Sequence, residues 1–297
     1  MTNTVSSSAL DDRDGVIWLD GRFVPWREAR LHVLTHGLHY GGSVFEGERV
    51  YDGHVFKLAE HTGRLHDSAR ELGYRLPFTE DELMEATLEV VCRQGIGDGY
   101  VRPVAWLGSE HIGVAGGDAY VHVAIATWEW PHVFSTEAKE RGIRLGTSRW
   151  RRPPPDTAPV RAKAASLYSI CTLARDEAHR SGYDDALLLD YRGQVAEATG
   201  ANIFLVAGET LYTPVADCFL AGITRATVLD LAAELGIRAV ERRVRPEELG
   251  QFDECFLTGT AYEIQPVRAI DQHEYRTGKT TTTMMESYDR LVRQIMA

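Results

Sequence analysis

The chain has 297 residues and a formal net charge of −11, from 32 basic and 43 acidic side chains. That length exceeds the usual single-domain size, so two domains with sizeable cores are expected, and the negative balance excludes a general nucleic-acid binder or a protein held on anionic membranes, since neither polyanion is attracted. Cys92, Cys171, Cys218 and Cys255 are far apart, with no Cys-x-x-Cys pair and no histidine at metal-ligand spacing, which predicts buried free thiols in a reducing cytoplasm and no metal site.

The opening MTNTVSSSALDDRDG lacks a basic n-region and an apolar h-region, so it reads as a polar lead, and no apolar run approaches a membrane span. VIWLDGRFVPW predicts a hairpin at Asp20-Gly21, and ERVYDGHVFKL a second at Asp52-Gly53. AEHTGRLHDSAREL reads as a helix with Leu65, Ala69 and Leu72 on one face, closed by Gly73. Thr79 and Glu82 form a capping box ahead of a second amphipathic helix, and GYVRPVAWLG and DAYVHVAIATWEW read as strands. Strands grouped around two helices suggest a compact α+β domain over 1–127.

WEWPHVFSTEAKERG breaks the pattern at Pro131, and 128–137 is expected to be an interdomain loop. The remainder, 138–297, reads as a larger strand-rich domain: RGIRLGTS, a proline-rich loop, a helix opening near Lys163, DALLLD, VAEATG, ANIFLVAGE, the helix GITRATVLDLAAELGI, DECFLTGT, EIQPVRAI and a last helix from Thr280. In the lysine helix Leu167, Ile170, Cys171, Ala174 and Ala178 fall on one face.

Lys163 stands among small neutral residues, Ala164, Ala165 and Ser166. A helix-entry lysine that snorkels to water is one account. A Schiff-base lysine is the other, and it requires an aldehyde cofactor, an anion site for that cofactor's phosphate and a carboxylate for its ring nitrogen. In LAGITRATVLDL a glycine turn leads straight into a helix near Thr224, where backbone N–H groups, the dipole and a hydroxyl converge; an ordinary N-cap threonine is the plainer account. Thr260, after the glycine turn of FLTGTAYEI, and Arg64 are further candidates for the same anion, although helix arginines are usually solvated. Glu197 sits between Ala196 and Ala198 on an apolar strand, where an isolated charge is costly; it is either the partner of a pyridinium nitrogen or a strand-edge glutamate facing water.

HGLHYGGSVFEGERVYDG, EHTGRLHDSAR, GYVRPVAW, the lysine stretch, VAEATGANIF, GITR and TGTAYEIQPV occur in the order found in branched-chain amino acid aminotransferases, so the chain, from about Val16 to Ile295, resembles those fold type IV pyridoxal 5′-phosphate enzymes. The resemblance implies a two-domain α+β fold, with Lys163 carrying the cofactor as a Schiff base. It implies phosphate binding by Arg64, Ile223 (through its N–H), Thr224 and Thr260, ring-nitrogen pairing by Glu197, and a hydrogen bond from Tyr168 to the cofactor's phenolic oxygen. For the substrate it implies Tyr100 with the N–H groups of Thr260 and Ala261 at the α-carboxylate, Arg102 at the side-chain carboxylate of glutamate, and an apolar wall from Phe45 and Tyr40. Tyr100 and Arg102 alternate along one strand and so face one side. Tyr40 and Val114 are expected to reach a second subunit, which makes a homodimer or higher homo-oligomer the expected assembly.

The expected reaction exchanges the amino group between leucine, isoleucine or valine and 2-oxoglutarate. The alternatives are a D-amino-acid or (R)-amine transaminase of the same fold, a lyase of the aminodeoxychorismate type, and a catalytically silent cofactor-binding protein. Three positions depart from the family's pattern: Ser166 where a glycine is frequent, Val133 where some bacterial members place a tyrosine, and Tyr262 where a small alanine is common.

Overall fold

A computed structural model describes residues 9–130 and 134–293; Val133 and Ile295 lie outside the described residues. Two compact units emerge, Met1–Trp130 with Ala164–Ser166, and Pro131–Lys163 with Leu167–Ala297.

The first unit contains β1 (Val16–Leu19), β2 (Arg22–Pro25), α1 (His36–Tyr40), β3 (Ser43–Phe45), β4 (Glu48–Tyr51), β5 (His54–Val55), α2 (Leu58–Glu71), α3 (Glu80–Gln94), β6 (Gly99–Leu107) and β7 (Val121–Glu129). Its strands form an antiparallel sheet in the order β2-β1-β7-β6-β4-β5, with β3 also on β6. Both predicted hairpins are present. Asp20 and Gly21 have φ of 48° and 85°, Asp52 and Gly53 of 49° and 82°, the two positive values that a tight type I′ turn requires. Thr79 and Glu82 make the reciprocal capping box at the start of α3. Leu65, Ala69, Leu83, Ala86, Val90 and Val91 are buried along the inner faces of α2 and α3. Cys92, next in sequence, falls off that stripe and is exposed, which corrects the expectation of four buried thiols; Cys171, Cys218 and Cys255 are buried.

The second unit contains α4 (Thr136–Arg141), β8 (Ile143–Arg152), α5 (Tyr168–Arg180), β9 (Asp185–Asp190), β10 (Val195–Ala198), β11 (Asn202–Ala207), β12 (Thr210–Thr213), α6 (Ile223–Glu234), β13 (Arg238–Glu241), β14 (Glu254–Gly259), β15 (Glu263–Ile270), β16 (His273–Glu274) and α7 (Lys279–Arg293). The sheet runs β10-β9-β8-β15-β14-β11-β12-β13, and β10 also pairs with β11, so six of its strands close on themselves. Leu145, Leu187, Val195, Ile203, Leu257 and Val267 fill its principal core. On another face Cys171, Ala174 and Ala178 of α5 bury against Ala186 and Leu188 of β9, with Ile170 half-buried beside them. No helix among the described residues is long and apolar enough to cross a membrane.

Candidate active site

Lys163 lies ahead of its helix rather than on it. A single 3-10 turn, Ala165–Leu167, intervenes before α5 begins at Tyr168. The turn brings Tyr168 back to the lysine, whose Nζ donates to the phenolic oxygen at 2.9 Å.

Glu197 is aimed by a β-bulge. The register between β9 and β10 shifts between Val195 and Glu197, so Val195 opposes Leu189 while Glu197 opposes Leu188. Glu197 is 8% exposed, which rules out the water-facing account. Arg152 Nε stands 3.2 Å from Oε1, and Asn202 Nδ2 donates to Oε2 at 3.4 Å. Burial pushes the acid up to about 7 despite the positive charges of Arg152 and Lys163. A buried carboxylate held this high is stabilised in its ionised form by a further cation beside Arg152.

The N-terminus of α6 is capped by no side chain: its N-cap is Gly222, and Thr224, one residue inside the helix and 3% exposed, is not the cap. The first N–H groups of the helix, those of Ile223 and Thr224 included, have no acceptor within it. Gly222 N–H donates to Asn202 Oδ1 at 3.0 Å, and Asn202 Nδ2 donates to the Leu220 carbonyl at 3.0 Å. Asn202 thereby links Glu197 to the start of α6. Its neighbour across the β11–β14 pair is Thr258, whose Oγ1 is buried without a hydrogen-bond partner among the described residues. Thr260 and Ala261, half-buried, form the turn between β14 and β15. An amine beside a phenol, a carboxylate in need of a cation, and an uncapped helix N-terminus near an orphaned hydroxyl are the donor set that fits a phosphorylated, cationic heteroaromatic aldehyde.

In the first unit Arg64 is held rather than solvated. Its Nε and Nη2 donate to Glu46 at 2.7 and 2.8 Å, and His61 Nδ1 is 2.7 Å from the same carboxylate. Tyr100, Arg102 and Phe45 come together: Arg102 Nη2 donates to the Tyr100 hydroxyl at 3.3 Å, and its guanidinium lies 4.7 Å over the Phe45 ring. Arg102 also lines a cavity of about 290 Å³ with Leu38, Val104, Trp106 and Ala126. Tyr40 and Val114 are 45% and 82% exposed. His36 ties them together, its ring 4.9 Å from that of Tyr40 and its Nε2 3.3 Å from the Val114 carbonyl. Ser166 packs against Gly41, where a Cβ would approach its side chain to 2.8 Å.

Sequence reasoning did not single out Asn202, Glu46, His61 or His36. An amide within the apolar strand NIFLVA and an acid within SVFEGERV were the available signals.

Residues 43–270 match the family model described as amino-transferase class IV. The chain belongs to this family. Among the relatives of this class IV aminotransferase, the branched-chain-amino-acid aminotransferase of Pseudomonas aeruginosa is 42% identical over 96% of the chain and 95% of its own length. The probable branched-chain-amino-acid aminotransferase of Rickettsia felis is 44% identical over 94% and 96%. The crystal structure of the T.th. branched-chain amino acid aminotransferase with pyridoxamine 5′-phosphate superposes with a TM-score of 0.92 at 40% identity, covering 95% of each chain.

Proposed function

We propose that this class IV aminotransferase uses pyridoxal 5′-phosphate to exchange the amino group between L-leucine, L-isoleucine or L-valine and 2-oxoglutarate. The observation that carries the reading is the buried Glu197, linked through Asn202 to the uncapped start of α6 and in the same unit as the Lys163–Tyr168 pair. The names of relatives that match over nearly the whole chain support the substrate class.

We assign Lys163 as the catalytic residue, and Arg64, Ile223, Thr224 and Thr260 to the cofactor's phosphate. When bound, the cofactor supplies an electrophilic carbonyl for amino groups and a ring that withdraws electrons. Glu197 holds a proton on the ring nitrogen, and in doing so gains the cation its burial demands. Lys163 Nζ accepts the proton leaving the substrate's α-carbon and later returns it, while the Tyr168 hydroxyl keeps that nitrogen in place. Tyr100 is assigned to the α-carboxylate, as are the N–H groups of Thr260 and Ala261. Arg102 is assigned to the distal carboxylate of glutamate, and Phe45 to the wall that accepts branched side chains.

A homodimer is the assembly we propose, with Tyr40 and Val114 serving a neighbouring subunit. Leu38, Tyr40, Ile112, Val114 and Tyr120 expose apolar side chains that a second copy would cover. The cytoplasm is the compartment suited to its unpaired thiols.

The test is the visible spectrum of the purified protein with L-leucine, D-alanine or an (R)-amine in separate cuvettes. L-leucine alone is expected to shift the bound cofactor's long-wavelength band to shorter wavelength. A response to D-alanine or the amine alone would move the substrate to the rival class, and more than trace turnover by Lys163→Ala would remove Lys163 from its role.

A further inference from the structure

The turn after β14 is anchored by a buried polar network. Tyr262 follows Thr260 and Ala261 directly and is 5% exposed. Its hydroxyl donates to Asp185 Oδ2 at 2.7 Å and accepts from Arg175 Nη1 at 3.1 Å. Asp185, fully buried at the start of β9, accepts through its other oxygen from Thr199 Oγ1 at 2.5 Å and from the Ala186 N–H at 2.7 Å. Burial and the charge of Asp185 push the phenol's pKa well above its ordinary value, so the phenol keeps its proton and remains the donor toward Asp185. A phenol donates and accepts at once, and Tyr262 therefore stands as the bridge between a guanidinium and a carboxylate.

Three stretches that carry proposed site residues meet in this network, two at the hydroxyl itself and the third through Asp185. Arg175 is on α5 with Tyr168, Thr199 closely follows Glu197, and Tyr262 itself adjoins Thr260 and Ala261. The ring is wedged as well, with Phe134 edge-on at 5.3 Å. On the other side of Tyr262, Glu263 holds a left-handed backbone conformation, φ 56°, and pairs with Lys139 of α4. Non-glycine residues adopt that conformation only when their surroundings impose it. The C-terminal end of the turn is thus fixed at two successive residues.

We propose that Tyr262 is a positioning residue for carboxylate recognition: clamped between Asp185 and Arg175, it sets the Thr260–Ala261 turn so that its N–H groups meet the substrate's α-carboxylate. This rests on the reading of that turn given above. A small side chain at position 262 would leave the same N–H donors in place but without the clamp to Asp185 and Arg175. A donor held in geometry in advance binds more tightly than one that must be ordered on binding.

The experiment uses the holoenzyme and its Tyr262→Phe variant, which keeps the ring and removes the bridge. Ligand affinity is read by spectral titration with 4-methylvalerate, a carboxylate of leucine's shape that lacks the amino group. Its Kd, and the KM for both amino and 2-oxo acid, are expected to rise about tenfold, with kcat and the cofactor Kd within about threefold. A variant that only melts earlier, with 4-methylvalerate affinity unchanged, would reduce the network to a structural role and overturn the proposal. Ala261→Pro, which deletes one donor of the turn, separates the two layers. Normal 4-methylvalerate binding by that variant would overturn the underlying reading, whereas lost binding there with normal binding in Tyr262→Phe would overturn the role of Tyr262 alone. Should Tyr262→Phe fail to fold, Arg175→Gln weakens the same clamp from its other side and is expected to raise the same constants.

Discussion

Glu46 grips the guanidinium of Arg64 through both carboxylate oxygens, at 2.7 and 2.8 Å. Burial on its own would raise the acid's pKa, but the charge of Arg64 and the hydrogen bond from His61 hold it well below the usual carboxylate range. The pair is therefore ionised at every working pH, and the fork orients Arg64. In Glu46→Gln the shape survives and the charge is lost. Charge-assisted hydrogen bonds contribute about 1.5–3 kcal/mol, so the Kd for pyridoxal 5′-phosphate is expected to rise roughly tenfold to a hundredfold. Absorbance titration of cofactor-free protein measures this, and an unchanged Kd would mean that Arg64 needs no such support.

Glu48 shows the opposite condition. It is 1% exposed, and both carboxyl oxygens are buried without a hydrogen-bond partner among the described residues. Burial pushes its pKa well above the ordinary value, the charge of Glu46 adds to this, and Arg64 offsets only part. An unsatisfied buried polar group costs about 1–3 kcal/mol, so Glu48→Met is expected to stabilise the protein by that order. The sign with pH follows from linkage. The folded chain keeps a proton that the unfolded chain releases, so wild-type stability is lost as pH rises above the unfolded pKa. The gain in Glu48→Met should accordingly be larger at pH 8 than at pH 5 in urea unfolding. Destabilisation at both would reveal a role for the carboxyl that outweighs its desolvation.

The two hairpins and the α3 capping box were legible because their chemistry is local: Asp-Gly supplies two positive φ values, and Thr79 reaches Glu82 within one turn. Lys163 and Glu197 were legible because a charge among small or apolar residues calls for a partner. The partners were not. Asp185 and Tyr262 are 77 positions apart, and Gly222 and Asn202 20 apart, so only the closed sheet brings them together. The position of Cys92 turned on one step of helical phase, and that of Lys163 on a 3-10 turn that periodicity does not reveal.

Gly47 makes room for Tyr100. A Cβ there would stand 1.8 Å from the tyrosine hydroxyl. The ring cannot simply retreat, since Trp128 and Trp130 pack against it with centroids 5.4 and 4.4 Å away. Gly47→Ala is expected to destabilise by about 1–3 kcal/mol through overpacking. Because the displaced group is the hydroxyl assigned to the α-carboxylate, the KM for L-leucine should rise at least about tenfold, a change equivalent to roughly 1.4 kcal/mol. A lowered Tm with unaltered KM would place Tyr100 outside carboxylate recognition.

Glu197 gives the site a pH signature readable without turnover. In the cofactor-free chain its acid is pushed up to about 7 by burial, against the attraction of Arg152 and Lys163. Between the unfolded value, roughly 4.3, and that folded value, the native state binds a proton that the unfolded state lacks. Stability therefore falls as pH rises through this window, at up to about 1.4 kcal/mol per unit and roughly 4 kcal/mol in all. Glu197→Gln cannot ionise, so it should gain on the wild type by up to that amount between pH 5 and pH 8. With pyridoxal 5′-phosphate bound, a cationic ring nitrogen stabilises the ionised carboxylate, and the wild-type decline should flatten. Urea unfolding of both proteins, with and without cofactor, measures the four curves. Parallel curves for the cofactor-free wild type and variant would show that Glu197 ionises as easily in the folded chain as in the unfolded one, and the case for a carboxylate awaiting a cation would fail.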